Sequence, residues 1–325
     1  MSPDELMWPV EPTRLVLGAQ SFDAAHPAVM AIINCTPDSF YAPGRFTHLD
    51  DALAGINQAV AEGADVIDVG GVRAGQDGPW VSQAEEIDRV LPLLTAARER
   101  HPGLLLSLDT WRAGVARAAA GLIDLVNDTW AGADPRLLTE AASQHVGYVV
   151  SHTGGLPPRT DPVGVHYGDD SDAAVVEAVE EHLSSGAQRA VDAGIARGSV
   201  VLDATLDFGK TTAHSLALVR HTATLAGLGH PLMMAISRKD FVGETLDLPA
   251  DERLEGSLAA TAVAAWQGAL MFRAHDVAAT RRTVDMVASI RGDRAPSRAQ
   301  RGTRLPSRAE RRNSRIPATT HDKPI

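Results

Sequence analysis

From position 29 onward, short runs of apolar residues alternate with longer amphipathic stretches. The apolar runs fall at 29–34, 65–70, 104–109, 122–127, 147–152, 199–203, 231–236 and 269–273. They are nearly continuous in Val, Ile, Leu, Ala and Met, as expected of parallel strands buried on both faces rather than strands with one wet face. Helical patterning occupies 49–61, 82–98, 112–120, 135–144, 172–194, 213–226, 251–266 and 277–290. Asp134-Pro135 reads as an N-cap followed by proline in the first helical turn. Eight strand-then-helix units over this length predict a (β/α)8 TIM barrel in the α/β class. An open doubly wound sheet is the alternative, because periodicity alone does not show closure. The barrel is expected to span 28–290. Residues 1–27 would form an N-terminal segment whose apolar run at 15–18 could be a strand capping the barrel floor.

Composition narrows this reading. Hydrophobic residues make up 44% of the chain but aromatics only 4%, so the core must be built from aliphatic side chains and alanine. A single cysteine, Cys35, excludes an internal disulfide framework and fits a reducing cytosol. The start carries acids where a signal peptide would carry bases. The longest apolar stretch, Ser257 to Phe272, is too short for a membrane span and is broken by Gln267 and Gly268. The location expected is therefore cytoplasmic, with no membrane partner.

The net charge of −11 conceals a split. Residues 291–325 carry nine arginines and one lysine against three acids, a net of +7, which leaves −18 on the rest. This tail is rich in Arg, Ser and Pro, lacks apolar periodicity, and is expected to be disordered and solvated. Contact with nucleic acid or an acidic partner is its alternative role. The acidic body argues against nucleic acid as the main ligand.

In a barrel of this type chemistry resides at the C-terminal ends of the strands. Each predicted strand ends there in a hydrogen-bonding group: Asn34, Asp68, Asp109, Asn127-Asp128, Ser151-His152, Asp203 with Lys210 beyond it, Ser237-Arg238-Lys239, and Arg273 with His275. Taken singly, each has a structural explanation as a cap, a packing residue or a surface ion pair. Convergence of eight on one rim is harder to explain that way. Asp109, Asn127 and Asp203 offer acceptors and an amide to a flat heterocycle rich in N–H donors, and Lys239 adds a cation. Asn34, Arg273 and His275 form a candidate anion-binding set. No hydrolase triad, paired-histidine zinc motif or GxGxxG element is present.

These residues bring a family into view. Ala31-Ile32-Ile33-Asn34-Cys35-Thr36-Pro37-Asp38-Ser39-Phe40 resembles the first signature of dihydropteroate synthases, and Gly63-Ala64-Asp65-Val66-Ile67-Asp68-Val69-Gly70-Gly71 resembles the second. Asp109-Thr110, Asn127-Asp128, Asp203, Phe208-Gly209-Lys210, Ser237-Arg238-Lys239, Arg253 to Ala259 and Phe272-Arg273-Ala274-His275-Asp276 follow in the family's order. The resemblance implies a (β/α)8 fold, often a homodimer. It implies displacement of pyrophosphate from 6-hydroxymethyl-7,8-dihydropterin pyrophosphate by the arylamine p-aminobenzoate. It places the pterin on Asp109, Asn127, Asp203 and Lys239, and the pyrophosphate on Asn34, Arg273 and His275. Asn34 would also touch Mg2+, which commonly bridges phosphate oxygens with few protein ligands. Asn34, Lys239, Arg273 and His275 would then carry catalysis through positioning and charge on the leaving group.

Departures from the family pattern concentrate on the acceptor side. After Gly70-Gly71 the family has Glu-Ser-Thr-Arg-Pro-Gly, whereas this chain has Val72-Arg73-Ala74-Gly75-Gln76-Asp77. Asp240 stands where a serine often helps the p-aminobenzoate carboxylate. At close range that like charge would cost on the order of 1–4 kcal/mol. Ala204, Thr205, Asp207 and Ala235 replace the proline and glycines usual near the pterin. The pattern resembles the divergent second copies found in some actinobacteria beside an orthodox synthase. Ordinary synthase activity, an altered or weak pterin transferase, and a pterin-binding protein without turnover all stay open. A folate-dependent methyltransferase barrel is a related alternative, which the Asn34-to-Phe40 signature and Ser237-Arg238-Lys239 speak against.

Overall fold

The computed structural model describes residues 14–35, 45–73, 80–160 and 165–298. The expected tail beyond 298, residues 1–13, the segment Thr36–Phe40 and Ala74 to Asp77 lie outside the described residues.

Eight parallel strands close into a barrel: β3 (Ala28–Asn34), β4 (Val66–Gly70), β5 (Leu105–Asp109), β6 (Leu125–Asp128), β7 (Gly147–Ser151), β8 (Val200–Asp203), β9 (Leu232–Ala235) and β10 (Met271–Ala274). β10 pairs with β3, Met271 opposite Ala28, which removes both sheet edges. The open-sheet alternative is thereby excluded. Every residue of β4, β7, β8 and β9 is buried, the physical counterpart of their largely apolar runs, which in β4 only Asp68 interrupts.

The helices form the outer layer: α1 (Arg45–Ala61), α2 (Gln83–Arg100), α3 (Ala113–Ala118), α4 (Arg136–Ser143), α5 (Asp172–Asp192), α6 (Thr212–Arg220), α7 (Thr222–Ala226), α8 (Asp240–Leu246), α9 (Leu254–Trp266) and α10 (Val277–Arg291). Local chemistry sets their starts. Ser82 and Glu85 form a reciprocal capping box at α2. Asp134 Oδ1 accepts from Arg136 N at 3.1 Å, and Pro135 already has helical angles, so the cap read from Asp134-Pro135 is present. Two core layers result. One lies between strands and helices. The other fills the barrel interior toward its floor with Met30, Val66, Leu105, Leu125, Val149 and Met233.

Three elements differ from the sequence-based expectation, whereas the run at 15–18 forms the floor strand expected of it. The run at 122–127 becomes a strand only over Leu125–Asp128, because Leu122 N bonds back to Ala119 O and closes the preceding turn. The helix expected over 213–226 breaks at His221. There Thr222 Oγ1 bonds to the Leu218 and Val219 carbonyls and competes with the helical ladder. The short helix α8 was not anticipated. Asp207, far away in sequence, caps it by accepting from Asp240 N at 2.7 Å. The apolar run at 15–18 forms half of an antiparallel hairpin, β1 (Leu15–Leu17) with β2 (Gln20–Phe22). Its Leu15, Leu17 and Phe22 join the floor layer. Gly147 permits that closure, since a Cβ there would meet Leu17 at 2.7 Å. Among the described residues no helix is long and apolar enough to cross a membrane.

Candidate functional site

The C-terminal ends of the strands surround a cavity of about 700 Å³ of empty space, including its open mouth. Asp109, Asn127, Asp203 and Lys239 border it, and so do Asn34, Arg273 and His275. The altered-loop residues Val72 and Arg73 lie at the same cavity, whereas Ala74 falls outside the described residues. Among the described residues Thr129, Thr205, Phe208, Ala235 and Ile32 also line it.

The floor is a single ionic network. Arg273 Nε donates to Asp68 Oδ2 at 2.6 Å and Nη2 to Asp109 Oδ2 at 2.7 Å. Asp68 also accepts from Asn127 Nδ2 at 3.0 Å and from Ser107 Oγ at 2.6 Å. Thr129 Oγ1 donates to Asp109 Oδ1 at 3.0 Å. Asp68 is fully buried, so its charge must be compensated this completely. From sequence Asp68 stood only as one of the strand-end polar groups with no role assigned, and Ser107 and Thr129 were not singled out. The signal was a carboxylate at an inward position of an otherwise apolar strand, which demands a cationic partner.

Burial governs the titration of the site. It pushes Asp109 up to about 7, opposed by Arg273 and reinforced by Asp68. It raises Asp203 as well. It lowers Lys239, with Asp207 and Asp203 opposing the shift. For Arg273 burial acts against the charge, but Asp68 and Asp109 more than offset it and leave the guanidinium firmly protonated. His275 is lowered by burial and by the nearby Arg273, with Asp276 opposing. The deep face thus presents acceptors from Asp109 and Asp203, the Asn127 amide and the Lys239 ammonium, a set that can take a flat, donor-rich heterocycle edge-on.

The anion-binding set divides. Asn34 is exposed at the end of β3. His275 Nδ1 lies 3.3 Å from Ser237 Oγ. Arg273 is turned inward onto two carboxylates. Arg238 is a structural residue: its guanidinium forms a bidentate pair with Asp276 at 2.8 and 3.0 Å and reaches the Ala250 and Asp251 carbonyls. No group of three or more His, Cys, Asp or Glu that could hold a metal ion occurs among the described residues. A cation here would need ligand oxygens in addition to Asn34.

Two residues lie elsewhere than expected. Asp240 does not border the cavity. As the first residue of α8 it points outward, with its side chain 77% exposed and paired with Arg253 Nη1 at 2.7 Å. Its pairing with Arg253 would offset part of the like-charge penalty that the sequence suggests. Lys210, expected at the rim, is instead 3% exposed and turned behind the β8 end, with its Nζ on backbone carbonyls.

Comparison with known proteins agrees with this geometry. Residues 30–275 match the family model for pterin binding enzymes. The chain is 52% identical over 275 residues to the inactive dihydropteroate synthase 2 of Mycobacterium leprae, covering 84% of this chain and 94% of that protein. It is 34% identical over 268 residues to the dihydropteroate synthase of Haemophilus influenzae, covering 82% and 95%. The Xanthomonas albilineans dihydropteroate synthase solved with 4-aminobenzoic acid superposes with a TM-score of 0.76 at 34% identity, covering 86% of this chain and 98% of that one. With a closed barrel, a shared cavity and these relatives, the chain belongs to the dihydropteroate synthase family and resembles its divergent second-copy members.

Proposed function

We propose that this protein binds 6-hydroxymethyl-7,8-dihydropterin pyrophosphate in the barrel mouth, and that its acceptor side is altered so that transfer to p-aminobenzoate is weak or absent. The observation carrying this reading is the floor network, in which Asp109, Asn127, Asp203 and Lys239 face one cavity while Arg273 is locked by Asp68. Val72 and Arg73 replace the family's Glu-Ser at the acceptor edge, and Ala235 adds a methyl group to the cavity wall. Similarity to a relative named inactive supports the same reading.

Where transfer occurs, the amine nitrogen bonds to the exocyclic methylene carbon. The carbon–oxygen bond to pyrophosphate breaks with its electron pair, and the amine then loses a proton to solvent. The chain's own contribution is to hold the ring on Asp109, Asn127, Asp203 and Lys239 and to meet the departing anion with Asn34 and the His275 imidazole. Mg2+ would neutralise charge on the pyrophosphate oxygens. The donor set fits an ion that arrives with the substrate and takes the Asn34 amide oxygen, since such ions need few protein ligands.

Calorimetry with the pterin pyrophosphate, with and without Mg2+, tests the first half, and pyrophosphate release with p-aminobenzoate tests the second. Binding with little or no release is expected. Failure to bind overturns the site, and turnover matching an orthodox synthase overturns the acceptor argument. A second association is proposed on a different observation. Val263 and Trp266 on α9 and Met286 and Ile290 on α10 are exposed, at 45, 41, 60 and 60%. These helices pack against each other, and we propose their exposed apolar side chains as the contact of a homodimer, with the cytoplasm as the proposed location.

A further inference from the structure

Lys210 lines no part of the cavity, yet it is 3% exposed. Its Nζ donates to the carbonyl oxygens of His152 at 2.7 Å, Thr205 at 3.2 Å and Phe208 at 2.8 Å. The three donors of the ammonium are thus matched by three neutral acceptors. Two of them belong to the loop between β8 and α6, and the third belongs to the end of β7.

That loop serves the pterin side of the cavity. Asp203 stands at its base, and its Oδ1 accepts from Thr205 N at 2.8 Å. Thr205 and Phe208 line the cavity. The Leu206 carbonyl receives Lys239 Nζ at 2.5 Å, and the Phe208 ring lies 4.7 Å from the same ammonium. Thr205, Asp207 and Gly209 have φ of +51°, +70° and +64°. Residues with side chains resist that region, so the loop needs an external hold to keep this shape. Gly209 has no substitute, since a Cβ there would run into the Thr153 carbonyl. The carbonyls of Thr205, Leu206, Phe208 and Gly209 are taken in turn by Lys210, Lys239, Lys210 and Tyr167. Lys239 grips the loop from the cavity and Lys210 grips it from behind.

Burying an ammonium against neutral oxygens is unfavourable for folding. Burial pushes Lys210 down to about 7, with Asp203 and Asp207 opposing and Lys239 adding to the shift. A side chain selected for packing alone would have no need of the charge. We propose that Lys210 is a positioning residue for the pterin. Its ammonium ties the β8–α6 loop to the end of β7 and so sets Asp203, Phe208 and Lys239 where the heterocycle is held. The proposal rests on the pterin reading above.

The test separates the two halves of the ligand. Wild type, Lys210→Met, Lys210→Gln and Lys210→Arg are titrated with 6-hydroxymethylpterin and, separately, with inorganic pyrophosphate in the presence of Mg2+. Lys210→Met and Lys210→Gln should weaken the pterin probe at least tenfold while pyrophosphate affinity stays within about twofold. Lys210→Arg, which keeps the charge, should recover part of the loss. Glutamine serves as the second variant should methionine prevent folding. Parallel loss of both probes means a merely structural role and overturns the proposal, as does pterin affinity equal to wild type. Wild-type protein that binds no pterin overturns the reading on which the proposal rests, a result distinct from either.

Discussion

Arg273 and Asp68, 205 residues apart in sequence, meet at 2.6 Å inside the barrel mouth. Asp68 is fully buried, and its remaining acceptors are filled by Ser107 and Asn127. The pair therefore aligns two other site residues, Asp109 through Arg273 and Asn127 directly. Removing one partner of a buried pair strands the other charge. Asp68→Asn is expected to lose about 3 kcal/mol of stability, the low end for a broken buried pair because Asp109 still holds Arg273. Urea denaturation measures this. A loss below about 1 kcal/mol would mean the network is not coupled as described.

Asp240 points away from the cavity and pairs with Arg253 at 2.7 Å. Asp240→Ser should leave p-aminobenzoate turnover, however small, unchanged, and should cost at most about 1 kcal/mol, as exposed pairs do. A clear rise in pyrophosphate release on adding p-aminobenzoate would restore the repulsion argument that the sequence suggested.

Acid should destabilise the fold through His152. Burial, with the charge of Lys210 adding to it, pushes this imidazole from 6.5 down to about 2. The unfolded chain takes up a proton below pH 6.5 and the folded chain does not. The stability linked to His152 is therefore complete above pH 6.5 and is lost as the pH falls toward 2. Asp109 runs the other way. Its pKa is raised from 3.8 to about 7, so its contribution is complete below pH 3.8 and is lost as the pH rises through 7. Urea midpoints between pH 4.5 and 8 should fall on the acid side less steeply for His152→Leu than for wild type. Identical acid slopes would remove His152 from the account.

The apolar face of α9 and α10 gives a separate outcome. Trp266→Glu together with Met286→Glu should shift the protein from dimer to monomer in analytical ultracentrifugation, with pterin binding retained. A wild-type monomer at micromolar concentration would dispose of the proposed association.

The number and order of the βα units were legible in the chain because a strand buried on both faces must be apolar throughout, and that demand is local. The rim location of the polar residues was legible for the same reason, since a polar group can end such a strand but rarely interrupt it. Asp68 is the interruption, and its meaning required a partner supplied by the last strand. The break at His221 and the start of α8 were likewise hidden, because each depends on side chains bonding to backbone groups in ways that periodicity does not record.

What the sequence by itself determined is therefore the eight-unit order and the identity of the groups at the strand ends. Tertiary structure alone decided where those groups point: Arg273 inward onto Asp68, Asp240 out to Arg253, and Lys210 behind the loop onto three carbonyls. The reason is physical. Strand and helix patterns follow from neighbours a few residues apart, whereas the pairing of buried charges depends on ring closure and on the left-handed turns of the β8–α6 loop.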